Sequence, residues 1–91
     1  MNQQPATALS AHDLRAWLTT YLSQLLALDP SELSPSTPFE SYGLDSSAAV
    51  GMSGDLGDLL GTELDASLAY DFPSIDALVE HLVGARMVTR S

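Results

Sequence analysis

Two adjacent hydroxyls and a carboxylate follow a glycine in Tyr42-Gly43-Leu44-Asp45-Ser46-Ser47, the stretch whose residue types and order best suit chemistry. If a helix begins here, Ser46 falls in its first turn, where unpaired backbone N–H groups and the positive end of the macrodipole converge. A phosphate attached there would be favoured. The simpler reading is that Asp45 or Ser46 only caps the helix. Other constellations fall short. His12 and His81 lie far apart with no companion carboxylate at ligand spacing, whereas a zinc site takes four ligands, or three plus water; both read as ordinary surface residues. The chain has no cysteine, which excludes disulfides, thiolate metal sites and a cysteine nucleophile. The acidic string Asp55 to Glu63 lacks the alternating oxygen ligands and central glycine of a calcium loop. Gly51-Met52-Ser53-Gly54-Asp55 lacks the final glycine and preceding strand of a nucleophile elbow. The glycines at 51, 54, 57 and 61 match neither phosphate-loop spacing.

The elements that would position Ser46 are helical. Ser10 with Asp13 forms a capping-box pattern, and Leu14, Trp17, Leu18, Tyr21, Leu22, Leu25, Leu26 and Leu28 recur at three- and four-residue spacings. That periodicity predicts a first helix ending near Leu28, stopped by Asp29-Pro30. Residues 29–45 carry no sustained period. They predict a long ordered crossover, with one turn around Pro30 to Leu33 and anchors at Leu33, Phe39, Tyr42 and Leu44. A second helix is expected over 46–60. At about 100° per residue, Met52, Leu59, Leu56, Ala49 and Leu60 share one arc, while Gly57, Val50, Gly54, Ser47, Asp58 and Gly51 share the other. That outer arc is nearly bare. Gly61 suits a C-cap, Ala66 to Tyr70 a brief helix closed by Asp71-Phe72-Pro73, and Ser74 an N-cap for a last helix bearing Ile75, Leu78, Val79, Leu82 and Val83. No segment alternates with period two. The expected fold is all-α: a small antiparallel helical bundle of three main helices plus one short helix, with a long loop between the first two. The expected division is a flexible N-terminus over 1–9, a helical domain over 10–84 and a flexible tail over 85–91.

Composition limits the partners. The 91 residues carry 12 carboxylates and 3 arginines, a formal net charge of −9, with no lysine. No Lys or Arg occurs between positions 16 and 85. Nucleic acid and anionic membrane surfaces both require cations to neutralise phosphate, so neither is an expected partner. The first residues lack a basic n-region and an apolar h-region, and no apolar run approaches the roughly 18 residues of a membrane span; the chain reads as a soluble cytoplasmic protein.

Pro38-Phe39-Glu40-Ser41-Tyr42-Gly43-Leu44-Asp45-Ser46, followed by Tyr70-Asp71-Phe72-Pro73-Ser74 and then Leu78 to Leu82, resembles the acyl carrier protein family. The resemblance runs from the first helix to the last. Its most specific element is Gly43-Leu44-Asp45-Ser46, and Leu68 to Ile75 is similar to polyketide synthase carriers. It implies that Ser46 receives a covalent 4′-phosphopantetheine arm from coenzyme A and that Asp45 aids recognition by a phosphopantetheinyl transferase. The chain would then be a tether for acyl thioesters, not an enzyme, serving synthase domains of a polyketide, lipopeptide or fatty-acid-derived pathway as a monomer. Ser47 departs from the large apolar residue usual at that position. The run from Asp45 to Gly61 also looks like carriers loaded by fatty acyl-AMP ligases. Weak docking through an acidic surface would suit delivery, with Ser47, Val50, Gly51, Gly54, Asp55 and Asp58 as contact residues and Glu40 and Glu63 as further acids. Two alternatives stay open: a peptidyl carrier, although Tyr42-Gly43-Leu44 replaces the usual Gly-Gly, and an acidic interaction module in which Ser46 is only a cap.

Overall fold

The computed structural model describes residues 9–90. Four α-helices follow one another: α1 (Ala11–Leu26), α2 (Ser46–Leu60), α3 (Leu68–Asp71) and α4 (Ile75–Gly84). Two 3₁₀ turns, Pro30–Glu32 and Phe39–Tyr42, lie in the connection between α1 and α2. No strand is present among the described residues, and no helix there is long and apolar enough to cross a membrane.

The capping box forms as its sequence predicts: the Asp13 N–H donates to Ser10 Oγ at 3.0 Å and the Ser10 N–H to Asp13 Oδ2 at 3.3 Å. Helix α1 stops two residues earlier than expected. Ala27 takes the left-handed conformation at φ 55°, and the Leu28 N–H returns to the Ser23 carbonyl at 2.9 Å. This reversal satisfies carbonyls at the helix end before Pro30 is reached.

The core is the sum of the apolar stripes. Leu14, Leu18 and Leu22 of α1, Met52 and Leu56 of α2, and Ile75, Leu78, Val79 and Leu82 of α4 are fully buried. Each such side chain contributes about 1.5–3 kcal/mol of transfer free energy. Leu25, which belongs to the sequence stripe, is 46% exposed.

The long connection is held at several points. Phe39 is buried in the core, its N–H donating to the Pro73 carbonyl at 2.7 Å, while the Asp76 N–H donates to the Pro35 carbonyl at 2.9 Å. Tyr42 pins the loop from within: its oxygen accepts from the Ser34 N–H at 2.7 Å and its hydroxyl donates to the Ser34 carbonyl at 3.1 Å. Two carboxylates close turns of their own, Asp29 on Ser31 and Asp65 on Ser67, by accepting from both the backbone N–H and the hydroxyl. These bonds, the backbone one first, hold both carboxyls below the usual aspartate range.

Four expectations change. The short helix starts at Leu68, not Ala66, because Asp65 to Ser67 are taken up by that turn. His81 is half-buried, not an open surface residue: its ring stacks on Phe72 at 3.9 Å between centroids and 14° between planes. In place of a free tail over 85–91, Val88 is buried and Thr89 brackets the entry to α1, its N–H donating to the Leu9 carbonyl at 2.9 Å and its carbonyl accepting from the Ala11 N–H at 2.7 Å. Leu9, assigned to the N-terminal segment 1–9, packs partly buried against the core. The rest of that segment, residues 1–8, and Ser91 lie outside the described residues.

Candidate functional site

Gly43 sets the approach to the site. It ends the second 3₁₀ turn at φ 82°, a left-handed conformation that side chains disfavour. Two residues later Asp45 is the N-cap of α2: its Oδ1 accepts from the Ala48 N–H at 2.8 Å, and its carbonyl accepts from the Ala49 N–H at 2.9 Å. Capping therefore belongs to Asp45. Ser46 is the first helical residue and is exposed. Its hydroxyl and the N–H groups of Ser46 and Ser47 take part in no hydrogen bond among the described residues. An oxygen nucleophile thus stands in solvent beside two free donors at the positive end of a 15-residue helix.

Two hollows lie along α2, and Ser46 itself lines neither. One, of about 240 Å³, is floored by Phe39, Leu44, Ala49, Ala69 and Pro73 and rimmed by Glu40, Asp45 and Tyr70. Tyr70 is 63% exposed. Sequence reasoning gives it no part in the site, although it opens the Tyr70-Asp71-Phe72-Pro73 block. The other hollow, of about 300 Å³, lies between α2 and the connection to α3 and brings Val50, Gly54, Asp58 and Glu63 together beside Ser53, Thr62 and Leu64. Ser47 and Gly51 are exposed and line neither hollow.

One helix-wheel expectation is corrected by the packing of this region. Gly57, placed on the bare outer arc, is buried, and a Cβ there would meet the Thr62 carbonyl oxygen at 2.6 Å. The chain folds back over that part of α2, so what an isolated helix would expose is covered. Gly51 and Gly54, by contrast, have open space where a side chain would stand. Asp55 is exposed but turned toward α1, where its Oδ2 accepts from the Tyr21 hydroxyl at 2.6 Å. Partial burial and then this bond to a carboxylate push the Tyr21 phenol up to about 12.

No group of three or more His, Cys, Asp or Glu capable of holding a metal occurs among the described residues. The exposed hydroxyl can receive a group on its oxygen.

Comparison with known proteins bears on what that group is. Residues 16–82 match the phosphopantetheine attachment site family. The chain is 34% identical to the acyl carrier protein TtuC of Teredinibacter turnerae over 81% of this chain and 85% of that protein. It is 36% identical to a component of the phenolphthiocerol/phthiocerol polyketide synthase of Mycobacterium tuberculosis over 77% of this chain, which spans only 4% of that much longer protein. Among solved structures, a free-standing peptidyl carrier protein from Acinetobacter baumannii superposes with a TM-score of 0.78 at 38% identity, over 85% of this chain and 96% of that one. The chain belongs to the phosphopantetheine-attachment family of carrier proteins, small helical tethers without catalysis of their own that bear 4′-phosphopantetheine covalently. Carriers of this family need a phosphopantetheinyl transferase and work with synthase domains.

Proposed function

We propose that this chain is an acyl carrier protein whose 4′-phosphopantetheine arm is attached at Ser46. The observation that carries the reading is the exposed Ser46 hydroxyl on the first turn of α2, behind a cap made by Asp45. Its surroundings fit a phosphodiester. The N–H groups of Ser46 and Ser47 are free to receive its oxygens, and the helix dipole offsets the nearby charge of Asp45. The bond to the Ala48 N–H holds the Asp45 carboxylate in one place, where an incoming transferase can recognise it. The arm supplies a terminal thiol for thioester formation, which a chain without cysteine cannot.

An acyl cargo is favoured over a peptidyl one by Tyr42-Gly43-Leu44 before Asp45-Ser46, where the Gly-Gly usual in peptidyl carriers is absent. We assign loading to a fatty acyl-AMP ligase, and docking of partners to the α2 face that carries Ser47, Val50, Gly51, Gly54 and Asp58. The two glycines with open space support this assignment. Neither is required by the fold, and both let a partner's backbone come close to α2.

The test is competitive loading of the holo-protein by fatty acyl-AMP ligases and by amino-acid adenylation domains. Acyl thioester should accumulate with the former only, and Gly54→Trp should slow its formation while leaving the helical signal intact. Aminoacylation in preference to acylation would make the chain a peptidyl carrier. Loading unaffected by Gly54→Trp would remove the glycine face from the docking surface.

A further inference from the structure

The face of α1 that meets α2 carries features that the tether role does not use. Trp17, Tyr21 and Leu25 are spaced four residues apart, so they stack in one row along the helix. Trp17 and Tyr21 are half-buried, with rings stacked at 5.1 Å and 24°, and Leu25 is 46% exposed. Asp55 crosses to this row from α2 and binds Tyr21 through Oδ2 only, leaving Oδ1 free. Among the described residues no cation pairs with that carboxylate. Arg15 is paired with Asp76 and Arg90 lies against Glu80.

An aromatic pair beside an exposed carboxylate with no cation of its own has a defined complement. A guanidinium can lie against an aromatic ring and donate to a carboxylate with the same planar group, whereas an ammonium is more strongly hydrated and lacks the fork. We propose that the row Trp17, Tyr21 and Leu25, together with Asp55, is a second docking face, which takes an arginine-bearing helix of a partner protein. It rests on the carrier reading for the partner's role, since that partner would hold the domain while Ser46 and the α2 face stay free for others. The binding itself does not involve the arm.

The experiment uses the unmodified chain and a fluorescently labelled, alanine-rich helical peptide with arginines at i and i+4, alongside lysine and citrulline counterparts. Binding is read at near-physiological salt by peptide anisotropy and by the emission of Trp17, the only tryptophan. The arginine peptide should bind about three- to fivefold more tightly than the lysine peptide, the scale of one exposed cation–π contact, and citrulline should abolish the preference. Asp55→Asn should remove most of that margin, while Glu80→Gln, which deletes the same charge on α4, should not. Equal affinity for arginine and lysine, equal effects of the two variants, or no binding would overturn the proposal. Asp55→Asn leaves both rings in place, so the result stands even if Trp17→Leu fails to fold. Ser46→Ala should bind the peptide as the parent chain does. Loss of binding there would overturn this second face, whereas failure of Ser46 to accept an arm would overturn the carrier reading and leave the peptide result unchanged.

Discussion

Gly54 and Gly57 sit one turn apart on the same helix, yet different parts of the molecule account for them. At Gly57 the connection to α3 closes over the helix and leaves no room for a methyl group, with the Thr62 carbonyl oxygen 2.6 Å from where it would stand. At Gly54 the same construction meets nothing within 4 Å. One glycine is required by packing within the chain. The other weakens the helix by about 1 kcal/mol relative to alanine with no internal return, and it leaves that stretch of α2 uncovered. Helix α2 thus has a side that holds the fold and a side left uncovered.

Perturbing the first side should have the largest effects. Met52→Ala removes a fully buried side chain and should destabilise the domain by about 2–5 kcal/mol, read as a lower midpoint in urea. Gly57→Ala should lower stability by about 1–3 kcal/mol, because the obstructing atom is backbone and the connection must shift. Asp45→Ala should cost about 1 kcal/mol through loss of the cap and should also slow modification. Asp45→Asn retains a capping oxygen, so a transferase defect in that variant with normal stability would separate recognition from capping. Gly54→Ala should have the opposite sign, raising stability by up to about 1 kcal/mol. A destabilised Gly54→Ala would erase the distinction between the two sides.

The smallest effect concerns the contact between α1 and α2. The Tyr21 phenol is raised from 10.0 to about 12 in the folded chain, so folding favours its protonated form. The stabilisation is complete below pH 10, where the phenol is protonated in both states, and is lost as pH rises through about 12. Denaturant midpoints should therefore fall over that range, and Tyr21→Phe should flatten the decline.

What is legible in the sequence follows from the range of each interaction. The capping box of Ser10 and Asp13, the Ser74 cap and the bounds of α2 depend on residues within one or two turns, and they stand where the pattern puts them. The all-α architecture is equally legible, because three apolar stripes have to meet. The differences come from contacts between distant segments. A helical wheel assigns Gly57 an angle but cannot show that residues 62–64 return to cover it. Local pattern shows Asp55 only as an acid on α2, because Tyr21, 34 positions away, leaves no local trace of their hydrogen bond. The docking of Val88 and Thr89 beside α1, and the stacking of His81 on Phe72, depend likewise on the closed bundle. For the site itself, the Asp45-Ser46 pair is readable. Which of the two residues caps the helix is decided only by geometry, in the bond from the Ala48 N–H to Asp45.

The carrier reading stands on Ser46, and not its neighbour Ser47, being the residue that takes the arm. The decisive experiment is to incubate the chain with coenzyme A and a broad-specificity phosphopantetheinyl transferase, weigh the intact protein, and fragment the peptide that contains both serines. A single phosphopantetheinyl group on Ser46, absent from Ser46→Ala and retained in Ser47→Ala, is the expected outcome. No gain in mass, or a gain that persists in Ser46→Ala, would refute the assignment.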